Sequence, residues 1–231
     1  MSHYGQFCPV AKAAEIFGER WTLLVMRELL LGTTRFSDLQ RALAKASPSI
    51  LAKRLRQLEA AGVLRRVRAA GGGHAEYRLT RAGREVAPLI EHLGTWATRW
   101  APARLTRDEL DEYYLLLDFS RRVVLEALPR GPLSIGFCFR RPWRTPSWWT
   151  VIRDGQIDIC DRDPGYGVDL LVGATLRDLT AVWLGQVSLA SARRDGLVQV
   201  SGERALERSI GRWFGLSAFA RRARRLPPRS A

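Results

Sequence analysis

Apolar residues return every third or fourth position over four successive stretches near the start of the chain, roughly residues 9 to 18, 20 to 31, 36 to 43 and 48 to 61. That period predicts four helices, joined by short turns at Gly18, at Gly32 to Thr34 and at Ala44 to Ser47. After Gly62 the period falls to two, and VLRRVRAA and AEYRLT predict short strands on either side of Gly71, Gly72 and Gly73. A helical pattern resumes from Arg81 to Trp100, with Val86, Leu89, Ile90, Leu93, Trp96, Ala97 and Trp100 on one face. So broad a stripe on one helix has to bury against something.

The stretch APARLTRDELDE, from Ala101, has a proline and little periodicity, which places a domain boundary near residues 100 to 107. Beyond it, DELDEYYLLLDFSRRVVLEAL predicts a helix of about 20 residues, stopped by Pro129 and Gly131. The strand-like runs LSIGFCFR, SWWTVIR, QIDIC and VDLLVG follow, with Asp154-Gly155 as a tight hairpin turn. Two helical segments (TLRDLTAVWLG, QVSLASARRDG), the strand LVQVSG and a helix around residues 203 to 214 complete the pattern. The expected architecture is a mainly α domain at residues 1–100 followed by an α+β domain at residues 108–217, with a mostly antiparallel sheet and covering helices. Residues 218–231 are expected to be a basic, disordered tail.

Composition narrows the choices. In 231 residues there are 37 Lys and Arg against 23 Asp and Glu, and 46% are apolar, which excludes a disordered or fibrous chain. Every long apolar run is broken by charge before the roughly 18 residues a bilayer span needs, and no signal-peptide pattern opens the chain. A cytoplasmic protein with no membrane partner is expected. Cys8, Cys138 and Cys160 are too scattered for a disulfide framework or a zinc site, so no metal and no cofactor are expected. His3, His74 and His92 stand in unrelated contexts and no nucleophile has a base at motif spacing, so an enzyme is not expected.

Of the 37 basic residues only Lys12, Lys45 and Lys53 are lysines. Arginine's planar fork suits phosphates, and the formal charge of +14 suggests double-stranded DNA as a partner, although charge alone does not separate that from a solvated surface. Placement is more informative. Ser47-Pro48 supplies an N-cap and a proline at the first helical position. Leu51, Leu55 and Leu58 then share one face while Ser49, Lys53 and Arg56 share the opposite one. This order, helices followed by a basic hairpin, is that of a winged helix. Candidate DNA contacts are Ser47, Pro48, Ser49 and Lys53 near base edges, Arg56 on backbone or base, and Arg54 on the flank. Arg66, Arg68, His74 and Arg78 of the hairpin are candidates for phosphates or the minor groove. An ordinary amphipathic surface helix and a solvent-facing hairpin would carry similar patterns.

Cys8-Pro9-Val10, GERWTLLVMRELLLG, RFSDLQRAL, SPSILAKRLRQLEAAGVLRR and YRLTRAGRE together resemble the HxlR-type winged-helix regulators over residues 7 to 100. The resemblance implies a homodimer on a pseudo-palindromic operator, with the N-terminal and last helices in the interface. That assigns Leu89, Leu93, Trp96 and Trp100, with Trp21, to subunit contact or nearby core. It also places Cys8 where several such regulators carry a redox or electrophile sensor.

Residues 168 to 214, and the IRDGQIDI hairpin before them, resemble sterol-carrier-protein-type lipid-binding domains in hydrophobic pattern and turn glycines. The resemblance implies a sheet with helices over one face and an apolar cavity between. Phe137, Phe139, Trp148, Trp149 and Trp183 are candidates to line a pocket for a small hydrophobic ligand, or simply to fill the core. Arg140, Arg141 and Arg144 could meet an acidic head group or be a solvated loop. The leading function is a DNA-binding transcriptional regulator, a repressor, whose second domain senses such a ligand. The alternative is a lipid-binding or carrier protein whose first domain mainly dimerises.

Overall fold

The structure, a computed structural model, describes residues 3–68, 75–101 and 105–220, and the chain divides into two units, Met1–Gly94 and Thr95–Ala231. Residues 221–231, most of the expected basic tail, lie outside the described residues. The tail's first positions are a correction: Ala220 is buried and packs against Gly185.

In the first unit the four expected helices form as α1 (Pro9–Phe17), α2 (Thr22–Leu30), α3 (Phe36–Ala42) and α4 (Pro48–Ala60). The hairpin is β1 (Leu64–Val67) with β2 (Glu76–Leu79), antiparallel, pairing Leu64 with Leu79 and Arg65 with Arg78. Thr34 C=O accepts from Tyr77 N–H at 2.8 Å, so the chain between α2 and α3 extends this ribbon. Leu51, Leu55 and Leu58 of α4 are wholly buried with Val25 and Met26 of α2 and Leu39 of α3. Each such side chain is worth about 1.5–3 kcal/mol of burial. Trp21 starts α2 at φ 78, rare for so bulky a residue, with its ring against this core and the Arg20 guanidinium 5.3 Å from the ring centroid.

The expected single helix from Arg81 to Trp100 is two, α5 (Arg81–Arg84) and α6 (Ala87–Trp100). Pro88 explains the division: lacking an N–H, it fits the first turn of a helix and not its middle. In the second unit the helix expected over residues 108–128 is only α7 (Glu112–Ser120). The β-branched pair Val123-Val124 favours departure from the helix, and Val124 N–H donates instead to Trp213 C=O at 3.1 Å.

The sheet of the second unit comprises β3 (Leu133–Cys138), β4 (Trp148–Arg153), β5 (Gln156–Cys160), β6 (Leu170–Ala174) and β7 (Val198–Gly202), in the order β5-β4-β3-β6-β7. Only the β3–β6 pair is parallel, so the sheet is mixed and mostly antiparallel. Asp154 and Gly155 both take positive φ, 50 and 74, as a two-residue hairpin turn requires. The registers place Leu133, Ile135 and Phe137 of β3, Ile152 of β4, and Leu170 and Val172 of β6 on one face. That face packs with α7, α8 (Leu176–Trp183), α9 (Leu189–Arg194) and α10 (Arg204–Trp213) through Leu116, Phe119, Leu179, Trp183, Ala192, Leu206 and Trp213.

The buried leucine stripe predicts that Leu55→Ala costs the first unit roughly 2–5 kcal/mol. Amide hydrogen exchange checks it: amides of α2 and α4 should exchange faster, while those of β3 and β6 keep their protection.

Candidate nucleic-acid interface

Burial of Leu51, Leu55 and Leu58 sets how α4 is rotated, and the opposite face carries Ser49, Lys53 and Arg56, all exposed. The helix starts where the sequence predicts. Ser47 Oγ accepts from Ile50 N–H at 3.3 Å and lies 3.0 Å from Ser49 Oγ, and Pro48 occupies the first helical position. Ser47 and Pro48 are exposed beside them, so the N-terminal turn is accessible along with the basic face.

Arg54 is a correction. It is buried, with its Nε donating to Arg20 C=O at 3.0 Å and Nη2 to Glu19 at 2.7 Å, while Nη1 donates to Gln57. This guanidinium holds α4 to the joint between α1 and α2 instead of facing a partner. The spacing rule could not reveal it, because Arg54 lies next to Leu51, Leu55 and Leu58 by helical angle, where residue type alone argues for the surface.

On the hairpin, Arg66 and Arg68 are exposed, and Arg78 is exposed and ion-paired to Glu76 at 3.0 Å. The register adds Arg65, which the sequence reading did not single out. It stands directly opposite Arg78, and like charges so placed destabilise a bare ribbon. A second addition is Ile50, 38% exposed near the start of α4 and therefore outside the leucine stripe. Its apolar type hid it. Gly71 to Gly73 and His74, the expected wing tip, lie outside the described residues.

Other apolar side chains stand in solvent. Phe7 is 99% and Val10 75% exposed around the start of α1, and Leu89, Leu93, Trp96 and Trp100 of α6 are all exposed at spacings of three and four. Glu15 gathers the N-terminal arm: Tyr4 N–H donates to it at 3.0 Å, and chiefly this bond holds its carboxyl below the usual range. Cys8 is the N-cap of α1 and is half-buried.

In the second unit the aromatic pocket is a correction. Phe137, Phe139 and Trp183 fill the core, and Trp148 packs against it with its indole N–H donating to Glu112 at 2.6 Å. Trp149 pairs in register with Gly136 and so lies on the sheet's other face, where it too is buried. Instead, a cavity of about 490 Å³ opens beside Leu125, Leu128, Leu133 and Ile152, with Arg130 and Asp154 at its lining. Burial pushes the Cys138 thiol up, and burial, with Asp158 and Asp161, does the same to Cys160. Among the described residues no group of three or more His, Cys, Asp or Glu could hold a metal ion, and no helix is long and apolar enough to cross a membrane.

Three helices, a capped fourth with an exposed basic face and a basic hairpin behind it define a winged helix-turn-helix, a DNA-binding module. The chain belongs to the HxlR-like helix-turn-helix family, whose profile matches residues 16–105, and is a transcription regulator of that type. It is 38% identical over 97 residues to the HTH-type transcriptional regulator YvaP of Bacillus subtilis, spanning 41% of this chain and 90% of that one. With the HTH-type transcriptional regulator Rv3095 of Mycobacterium tuberculosis it shares 40% identity over 103 residues, 44% of this chain and 65% of that one. The crystal structure of PA1607 is 38% identical, covers 46% of this chain and 74% of that one, and superposes with a TM-score of 0.43.

The two basic neighbours on α4 should separate experimentally. Arg54→Ala leaves Glu19 and the Arg20 carbonyl without their donor and should cost about 1–3 kcal/mol in thermal unfolding. Lys53→Ala should stay within about 0.5 kcal/mol of the parent.

Proposed function

We propose that the protein is a cytoplasmic homodimeric repressor on a pseudo-palindromic operator, each subunit laying α4 in a major groove and its hairpin along neighbouring phosphates or the minor groove. The observation that carries this reading is the rotation of α4, which turns the Ser47–Ser49 start, Lys53 and Arg56 outward together. A recognition helix reads base edges with its first turns and spends later basic residues on phosphate. In this reading Ser47, Pro48, Ser49 and Lys53 approach bases, Ile50 meets a thymine methyl, and Arg56 serves backbone or base. Arg65, Arg66, Arg68 and Arg78, with His74, meet phosphates.

The exposed stripe Leu89, Leu93, Trp96 and Trp100, with the apolar start of α1, supplies the subunit contact. Cys8, half-buried at a helix N-terminus, is the thiol through which an oxidant would act, since burial disfavours the thiolates of Cys138 and Cys160. The second unit, of sterol-carrier type with helices over one sheet face, receives a small amphiphilic effector in the cavity beside Leu125 and Ile152. A lipid-carrier function has less to rest on, because the aromatics that would line its pocket fill the core.

Gel shift on the DNA upstream of its own gene tests the reading. Lys53→Ala with Arg56→Ala should weaken binding at least tenfold, about 1.4 kcal/mol for two lost contacts. Undiminished binding by that variant would remove α4 as the recognition helix. Leu89→Asp with Leu93→Asp should convert the dimer to monomer in sedimentation velocity, and an unchanged dimer would move the interface elsewhere.

A further inference from the structure

Arg140, Arg141 and Arg144 stand exposed on the loop between β3 and β4 and belong to none of the groups assigned above. This loop is held down at two points on the sheet face opposite the helices. Trp143 lies so close over Gly173 that a Cβ there would meet it at 2.5 Å, and Pro146 lies over Gly136, where a Cβ would meet it at 2.7 Å. Within the loop, Arg144 N–H donates to Pro142 C=O at 2.8 Å, and the Arg141 guanidinium sits 4.2 Å from the Trp143 ring centroid. The three guanidiniums are therefore presented from a pinned backbone, one of them already oriented.

Among the described residues no carboxylate neutralises them. Arg54, Arg78, Arg121 and Arg193 each take an ion pair, but among the described residues none of these three has a carboxylate within pairing distance. Three unneutralised like charges within five residues favour an anion that offers several charges in a row. Guanidinium forks match phosphate oxygens two at a time, and duplex DNA presents one charge per about 1.7 Å of axis. An anionic bilayer would in addition draw on apolar side chains at the loop tip. Here Trp143 is turned down onto Gly173, and the exposed neighbours are Pro142, Thr145 and Ser147, with no large apolar side chain among them.

We propose that this loop is a second DNA contact, with Arg140, Arg141 and Arg144 engaging backbone phosphates of the DNA that the winged helix holds, without reading sequence. The proposal rests on the winged helix binding DNA, which brings phosphates to the second unit at high effective concentration. Release of counterions from three phosphates should appear in the salt dependence.

The test is fluorescence anisotropy of the full chain on two duplexes, one from upstream of its own gene and one unrelated, across a salt series. R140A/R141A/R144A should lower the slope of log affinity against log salt by about 2.7 on both duplexes, about 0.9 per phosphate. Over a fourfold rise in salt the parent then loses roughly 40-fold more affinity than the variant. R140K/R141K/R144K should recover most of the slope. An alanine variant with the parent's slope, while K53A/R56A still weakens binding, overturns this contact and leaves the winged helix standing. No DNA binding by the parent overturns both. A slope lost together with the thermal transition and not recovered by lysine overturns the contact in favour of a structural role. Selective binding of the parent to phosphatidylglycerol vesicles, with the DNA slope unchanged by the alanines, overturns it in favour of a membrane.

Discussion

Burial of one leucine stripe governs the first unit. Leu51, Leu55 and Leu58 have no exposed surface, and in a helix of 3.6 residues per turn that leaves α4 a single rotation. A turn of 100° about the axis would drive Lys53 or Arg56 into the core, at a desolvation cost far above what any surface contact returns. The basic face is thus a consequence of the apolar one. Arg54 completes the restraint from the other side, because its bonds to Glu19 and the Arg20 carbonyl tie the middle of α4 to the chain before α2.

The second unit handles a sheet with two faces differently. One face meets four helices and carries the large side chains, with the Phe119 ring 5.6 Å from that of Phe137 and 5.0 Å from that of Phe214, centroid to centroid. The other face is closed by a loop, and there β3 and β6 place Gly136 and Gly173 so that Pro146 and Trp143 can come down. Glycine in a strand interior costs stability unless something needs the space, and here the loop needs it.

Periodicity made α1 to α4 legible to within a residue or two, because each has one apolar face and a turn residue on either side. The five strands of the second unit were legible as short apolar runs bounded by turn signals, and so was the Asp154-Gly155 turn. What escaped depends on contacts between distant positions. Arg54 looked like surface until Glu19 was placed beside it, Val124 looked helical until Trp213 offered it a carbonyl, and Arg65 gained meaning only through its register with Arg78. Of the two readings open for the aromatic residues, core filling holds for Phe137, Phe139, Trp148 and Trp183, while Trp149 is separated from them by strand parity, since Trp148 and Trp149 are neighbours in sequence and so face opposite sides of the sheet. The parity was readable, but which face is covered by helices was not.

Net charge is therefore a poor guide to where a partner binds. The same residue type braces α4 at Arg54, joins α9 to α10 at Arg193 through Glu207, and stacks on an indole at Arg141. An arginine with a carboxylate at hand has most of its field cancelled locally, so its contribution to long-range attraction is small even though it counts fully in the total. Exposed, unpaired arginines act on a polyanion, and only when the backbone holds them close enough to meet successive phosphates. α4 with the unpaired arginines of its hairpin and the loop after β3 both meet that criterion, one by virtue of a buried leucine stripe and the other by virtue of a tryptophan seated on a glycine.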